Sequence, residues 1–129
     1  MSAAQIVSVA LVVPDYDLAI AFFRDVLGFA LTADLDQGTK RWVTVQPPGG
    51  GVQLVLAKAE GTRQTAMIGN QGAGRVWLFL NTNDFARDYA CMLAQGVQFE
   101  EPPRLEPYGT VAVWRDPWGN RWDLIQPAA

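Results

Sequence analysis

The residues with the most chemical promise stand near the end of the chain, in RDPWGNRWDLIQP, Arg115 to Pro127. Asp123 is a carboxylate set between the apolar neighbours Trp122 and Leu124. In that setting it is either a site residue, acting as a base or a ligand, or an outward-facing solvated group. Ahead of it, Asp-Pro-Trp-Gly has the chemistry of a tight turn: Asp116 bonds back to the backbone, Pro117 fixes φ and Gly119 accepts φ > 0. The flanking runs TVAVW and RWDLI make the stretch a hairpin. The 129 residues contain no histidine. That removes Ser-His-Asp and Cys-His catalysis, imidazole bases and every metal site built on histidine. Any catalysis would use carboxylates, Tyr, Lys, Arg, Cys or backbone groups.

Other reactive side chains read as quieter. Glu100, Glu101 and Glu106 flank Pro102 and Pro103, so a solvated rim is favoured over paired acid/base work. Cys91 falls within an amphipathic helical pattern and reads as inert core or half-exposed, with no base certain to lie beside it. As the one cysteine it excludes an internal disulfide and suits a reducing compartment. Gly49 to Gly51 lies between strands rather than before a helix, which argues against a phosphate loop. Five tryptophans and Tyr108 can stack on a flat or cationic ligand, although such residues also serve as core and interface. With a net charge of −3 and scattered Lys and Arg, no nucleic-acid partner is expected. The apolar run Ile6 to Val13 is too short for a bilayer and lacks signal-peptide features, so no membrane partner and a cytoplasmic location are expected.

The elements that must position these groups follow from periodicity. Composition, 50% hydrophobic and 18% charged, is that of one soluble globular domain. Gln5 to Val13 is a β-branched strand ended by Pro14, and Asp15 or Asp17 caps a helix with Leu18, Ala19, Phe22, Phe23, Val26 and Leu27 on its apolar face. Gly28 stops it, and Phe29 to Leu35, Arg41 to Gln46 and Val52 to Ala57 read as three strands. Lys58 to Gly74 has no clear period and reads as a linker or mobile loop. It is either an ordinary exposed connection or a flap whose Met67 and Ile68 close over a ligand. The pattern then repeats: strand Arg75 to Leu80, a helix capped by Asn83 with Phe85, Tyr89, Met92 and Leu93 inward, Gly96, and strands Val97 to Glu101, Thr110 to Arg115 and Asn120 to Gln126. An offset of 68 lays Gly28 on Gly96, Thr44 on Ala112 and Val55 on Asp123. The expected fold is α+β, with two tandem βαβββ modules at about 5–57 and 74–126 around a linker at 58–73.

A sheet with one helix on it leaves its second face open, and uncovered apolar surface is unfavourable by roughly 25 cal/mol per Å². Two such faces turned together form a half-barrel cavity where a ligand would sit. Alternation assigns its lining. Ser8, Ala10 and Val12 face the cavity, with Gln53 and Val55, while Leu54 and Leu56 face a helix. Trp42, Thr44 and Gln46 line it, and by the offset so do Thr110, Ala112 and Trp114. Arg75, Trp77 and Phe79 point inward and Val76, Leu78 and Leu80 outward; Arg121, Asp123 and Ile125 share the cavity face, with Trp122 towards the helix.

VALVVPDYDLAIAFFRDVLGF at the opening of the first module and YGTVAVWRDPWGNRWDLIQP at the close of the second resemble the vicinal oxygen chelate superfamily. That superfamily includes glyoxalase I, extradiol dioxygenases, fosfomycin-resistance enzymes and bleomycin-resistance proteins. The resemblance covers essentially the whole chain and does not select a function within the superfamily. The metal enzymes of the superfamily place ligands on the first and last strands of each module. Those positions hold Ser8, Val55 (Gln53 if the register moves by one pair), Arg75 and Asp123 here. Only Asp123 is a good ligand for a divalent ion, and a guanidinium beside it would repel the ion, so no metal cofactor is expected. An ion pair between Arg75 and Asp123 in the metal's place is one expectation; the alternative is Arg75 in solvent and Asp123 bonded to a backbone amide.

The resemblance thus implies a metal-free protein that binds a small organic molecule, and by analogy with the bleomycin-resistance branch sequesters an antibiotic or another toxic compound. The expected contacts are Ser8, Trp42, Thr44, Gln53, Val55, Arg75, Trp77, Phe79, Tyr108, Trp114 and Asp123. That branch often seats its ligand between two subunits, which implies a homodimer. The alternative is a glyoxalase-type lyase, isomerase or dioxygenase, with Asp123 as the catalytic base or as ligand of a weakly held metal.

Overall fold

Two carboxylates start the two main helices. In the computed structural model, which describes residues 3–129, Asp15 accepts a hydrogen bond from the Leu18 amide at 2.8 Å and Asp84 one from the Arg87 amide at 3.1 Å. Each satisfies an amide that the first helical turn would otherwise leave without a partner. The second cap is Asp84 rather than the expected Asn83.

The chain divides into two units, one up to Ala66 and one from Met67 on. In the first, β1 (Ser8–Val13) is followed by α1 (Tyr16–Ala21), a π-helical turn at Phe22–Val26, and β2 (Ala30–Asp36), β3 (Arg41–Gln46) and β4 (Gln53–Lys58). The sheet order is β1-β4-β3-β2, with β1 parallel to β4 and the other pairs antiparallel. Ala19, Ile20 and Phe23 pack on Leu11, Val13, Val43, Val45, Leu54 and Leu56, all buried. Leu18, expected on the same apolar face, is exposed, because that face is narrower than the sequence pattern suggests.

In the second unit β5 (Val76–Asn81), α3 (Phe85–Ala94), β6 (Gln98–Phe99), β7 (Arg104–Glu106), β8 (Gly109–Arg115) and β9 (Arg121–Pro127) form a sheet of order β5-β9-β8-β6, with β7 also paired to β8. The second strand of the expected module, Val97 to Glu101, is thus shortened to β6, and an additional strand, β7, follows Pro102 and Pro103, which cannot donate to the ladder. α3 packs on β9, and the Phe85 amide donates to Gln126 Oε1 at 2.8 Å. The two tandem βαβββ modules of an α+β fold are therefore present.

The linker reading needs correction. After β4 comes α2 (Gly61–Ala66), and from Met67 to Arg75 the chain runs through successive turns closed by Asn70 N–H to Met67 O, Ala73 N–H to Asn70 O and Arg75 N–H to Gly72 O. Gly69, at φ 72°, sits so close to the Trp118 carbonyl that an added Cβ would lie 1.8 Å from its oxygen. Within the second unit the turns from Met67 are thus docked on the Asp116–Asn120 turn.

That turn is built on one buried side chain. Asp116 Oδ1 accepts from the amides of Trp118, Gly119 and Asn120 at 3.1, 3.0 and 2.9 Å, and Oδ2 accepts from Asn120 Nδ2 at 2.9 Å and Trp122 Nε1 at 3.1 Å. Hydrogen bonds to a charged acceptor are stronger than neutral ones, and here all five share one residue. Replacing Asp116→Ala is expected to lower the unfolding free energy by about 3 kcal/mol in urea titrations. A loss below about 1 kcal/mol would show that the turn holds itself.

Candidate functional site

Cross-strand partners share a face, so the register states which predicted residues come together. In the first module Ser8 lies opposite Gln53, Ala10 opposite Val55, and Thr44 opposite Val55. Ser8, Trp42, Thr44, Gln53 and Val55 therefore occupy one face, opposite the helix-packed side. Thr32, freed by an irregularity between Leu31 and Ala33, joins them. Its Oγ1 lies 2.6 Å from Thr44 Oγ1, 2.6 Å from Gln53 Oε1 and 3.1 Å from the Thr44 carbonyl. The amide oxygen of Gln53 is engaged in this chain, which leaves its Nε2 with two protons to donate.

In the second module Asp123 lies opposite Phe79 on β5 and opposite Val113 on β8. Trp114 pairs with Trp122 and Ala112 with Leu124, on the other face. The expected placement of Thr110, Ala112 and Trp114 beside Asp123 is therefore wrong. Trp114 is fully buried and stacks on Trp122, ring centroids 4.8 Å apart, in the core on the α3 side. The physical reason is a one-residue difference in loop length. Six residues join β3 to β4 (47–52) and five join β8 to β9 (116–120). The offset of 68 that holds for Val55 and Asp123 thus becomes 69 one strand earlier, and a slip of one residue turns a side chain to the opposite face.

The first strand of this module carries a second correction. An irregularity between Val76 and Leu78 places Val76 opposite Arg121, on the Asp123 side, and puts Trp77 in the bulge itself. Arg75 precedes β5, is exposed, and makes no ion pair with Asp123 among the described residues. The expected Arg75–Asp123 pair is not formed. Neither does Asp123 bond a backbone amide: its Oδ1 is buried with no hydrogen-bond partner.

Other charged side chains act on Asp123 instead, among them Arg104, which carries no signal in the sequence. Arg104 and Glu106, opposite Val111 and Gly109, share its face. Arg104 donates to Glu101 at 2.8 Å and to Glu106 at 2.5 Å, and lies 3.5 Å from the Tyr108 hydroxyl. Glu101 also accepts from the Val113 amide at 3.3 Å. The glutamates called a solvated rim therefore clamp an arginine. Arg121 is held bidentately by Glu100 at 2.9 and 3.0 Å and also donates to the Gly74 carbonyl. Arg104 was hidden because R-L-E between two prolines is too short to show a period.

A polar cleft of about 650 Å³ opens in the first module between the β2–β3 hairpin and the start of α1, lined by Asp15, Tyr16, Asp34, Asp36, Lys40 and Arg41 among others. None of the predicted site residues lines it. Arg41 is paired to Asp34 and Asp17 and lies 5.1 Å over the Tyr16 ring. The Arg41 hydrogen bond holds the Asp34 carboxyl below its usual range. In this cleft Arg41, Asp34, Asp15 and Asp36 are bonded, whereas the side chains of Lys40, Lys58 and Glu60 make no ion pair among the described residues; the buried unpartnered carboxylate oxygen lies on the Asp123 face.

The sequence profile described as Glyoxalase/Bleomycin resistance protein/Dioxygenase superfamily matches residues 5–124. The chain belongs to this superfamily. An uncharacterized protein of Shewanella frigidimarina (strain NCIMB 400) is 54% identical over 125 residues, covering 95% of this chain and 93% of the relative. Among solved structures, TnmS3, an antibiotic binding protein from Streptomyces sp. CB03234, is 30% identical with a TM-score of 0.82 over 99% of both chains. UcmS2 shows the same identity and TM-score over 95% of this chain and 98% of that one.

The metal site of the superfamily's enzymes does not fit these residues. Ser8, Val55, exposed Arg75 and Asp123 offer one carboxylate, and among the described residues no three Asp, Glu or Cys side chains converge as a metal would require. No chemistry through a metal is derived from them.

Burial pushes the Asp123 carboxyl above its usual range, with Glu101 adding to the effect and Arg104 and Arg121 opposing it. A carboxyl raised on folding favours the fold while protonated and loses that benefit as pH rises through its folded value. Asp123→Asn, which keeps the shape without the charge, is therefore expected to raise the melting temperature at pH 7 and to lose this advantage in acid. Equal or lower stability of the variant at pH 7 would contradict this reading.

Proposed function

We propose that this protein binds a small organic molecule without a metal, and that it sequesters an antibiotic or similar toxic compound. The observation that carries the reading is the unpartnered, buried Oδ1 of Asp123 on the same sheet face as exposed Phe79. A buried polar atom without a bond is costly, and a ligand that bonds it recovers that cost. Support comes from the likeness to TnmS3, and from the donor set at the superfamily's ligand positions, where only Asp123 suits a cation. Phe79 and Tyr108 are the contacts we assign with Asp123 in the second module, and Ser8, Trp42, Thr44, Gln53 and Val55 are the ligand-contact face we assign in the first. Arg75, outside the strand, and Trp114, in the core, are left out; Trp77 reaches the ligand only from its bulge.

In this reading the chain works in the cytoplasm, which suits its exposed, unpaired Cys91, and as a homodimer. Leu105, 85% exposed beside Tyr108, is an apolar contact that a second copy would cover. Among the described residues no helix is long and apolar enough to cross a membrane.

A thermal-shift screen against an antibiotic panel in EDTA tests the function. A binder present at 100 times its Kd adds roughly 2.7 kcal/mol to stability, and the shift is expected to be the same with and without EDTA. Binding or turnover that appears only with Mn²⁺, Fe²⁺ or Ni²⁺ would instead establish the lyase, isomerase or dioxygenase reading.

A further inference from the structure

We infer that the Asp123–Phe79 side of the second module's sheet takes a ligand bearing a protonated amine on an aromatic or apolar body, with the ammonium against the Asp123 carboxylate and the body on Phe79. The inference rests on the binding function proposed above and names the chemical class that the face selects.

Three observations converge on it. The first is the state of the carboxylate. Asp123 is 7% exposed, and no donor in the described chain reaches its Oδ1. The second is the charge around it. The two guanidiniums that act on Asp123 are already committed, Arg104 to Glu101 and Glu106, and Arg121 to Glu100 and the Gly74 carbonyl. Arg115 shares Glu100 as well. Three arginines therefore stand against Glu100, Glu101, Glu106 and Asp123, and the one uncompensated negative charge belongs to the residue with the least access to water. A neutral donor would satisfy the oxygen but leave that charge. An ammonium does both, because it carries three donors and a compensating charge.

The third is the neighbour. Phe79 is the direct cross-strand partner of Asp123, about 4.8 Å away between strands. It is 63% exposed, so its ring is open to contact. A ring beside a carboxylate receives a cation by attraction to its π-face and an apolar body by burial of its surface. An anionic ligand would meet both an uncompensated carboxylate and a ring face of negative quadrupole, and is disfavoured.

The test uses three probes of nearly equal shape, 2-phenylethylamine, 2-phenylethanol and phenylacetate, titrated by NMR into the full chain in EDTA. The amine is expected to bind at least about tenfold more tightly than the alcohol, as a charge-assisted hydrogen bond provides, and phenylacetate least. Shifts should centre on Asp123 and Phe79. Asp123→Asn should bring amine and alcohol to equal affinity, and Phe79→Ala, at an exposed position, should weaken both while keeping their order. Equal binding of amine and alcohol to the native chain, preference for phenylacetate, or an amine preference that survives Asp123→Asn would overturn the inference. If an antibiotic from the panel binds at this face and 2-phenylethylamine does not, the inference fails alone; if neither binds, the proposed function fails with it.

Discussion

The register between β8 and β9 is the constraint on which the second module depends, and Asp116 sets it. Its carboxylate gathers three amides of the turn, the Asn120 side chain and the indole of Trp122. The chain must then re-enter the sheet at Arg121 with Trp122 turned towards the core. With that fixed, Trp122 stacks on Trp114, and the next residue has no choice of side. Asp123 is delivered to the face opposite Trp122, together with Val113 and Phe79. A five-residue connection and a period of two place the carboxylate, with no contribution from any residue near it.

The same constraint accounts for what surrounds Asp123. Odd-numbered residues of β8 share its face, so their partners on β7, Arg104 and Glu106, do too. The cations nearest to it are then drawn into pairs with glutamates that come from the irregular chain around Pro102 and Pro103. Exposed ion pairs of this kind contribute little stability singly. Their consequence is electrostatic: they leave Asp123 as the one carboxylate on this face with no compensating group.

Much of this was legible in the sequence. The glycines that end the helices and the duplication itself followed from residue spacing, as did the apolar helix faces apart from Leu18 and Leu93, which are exposed, and five residues of the first module, Ser8, Trp42, Thr44, Gln53 and Val55, were assigned correctly to one face. What failed did so for local reasons of backbone counting. A constant offset between modules cannot see that one hairpin connection is a residue shorter, so Trp114 was assigned to the cavity face when it packs in the core against Trp122. A bulge at Trp77 reverses alternation without a sequence signal strong enough to announce it. The Arg75–Asp123 pair presumed that Arg75 lay within β5; the strand begins at Val76. Arg104 was missed because a three-residue strand between prolines has no period to read.

Folding strips the Asp123 carboxylate of water and leaves its Oδ1 without a partner. A ¹³C NMR titration of the Asp123 carboxyl measures that directly, first alone and then with saturating 2-phenylethylamine. The predicted result is a midpoint above the ordinary aspartate value of about 3.9, which falls when the amine binds because the cation favours the ionised form. A midpoint at or below the ordinary value in the free protein, or one that the amine leaves in place, would contradict it.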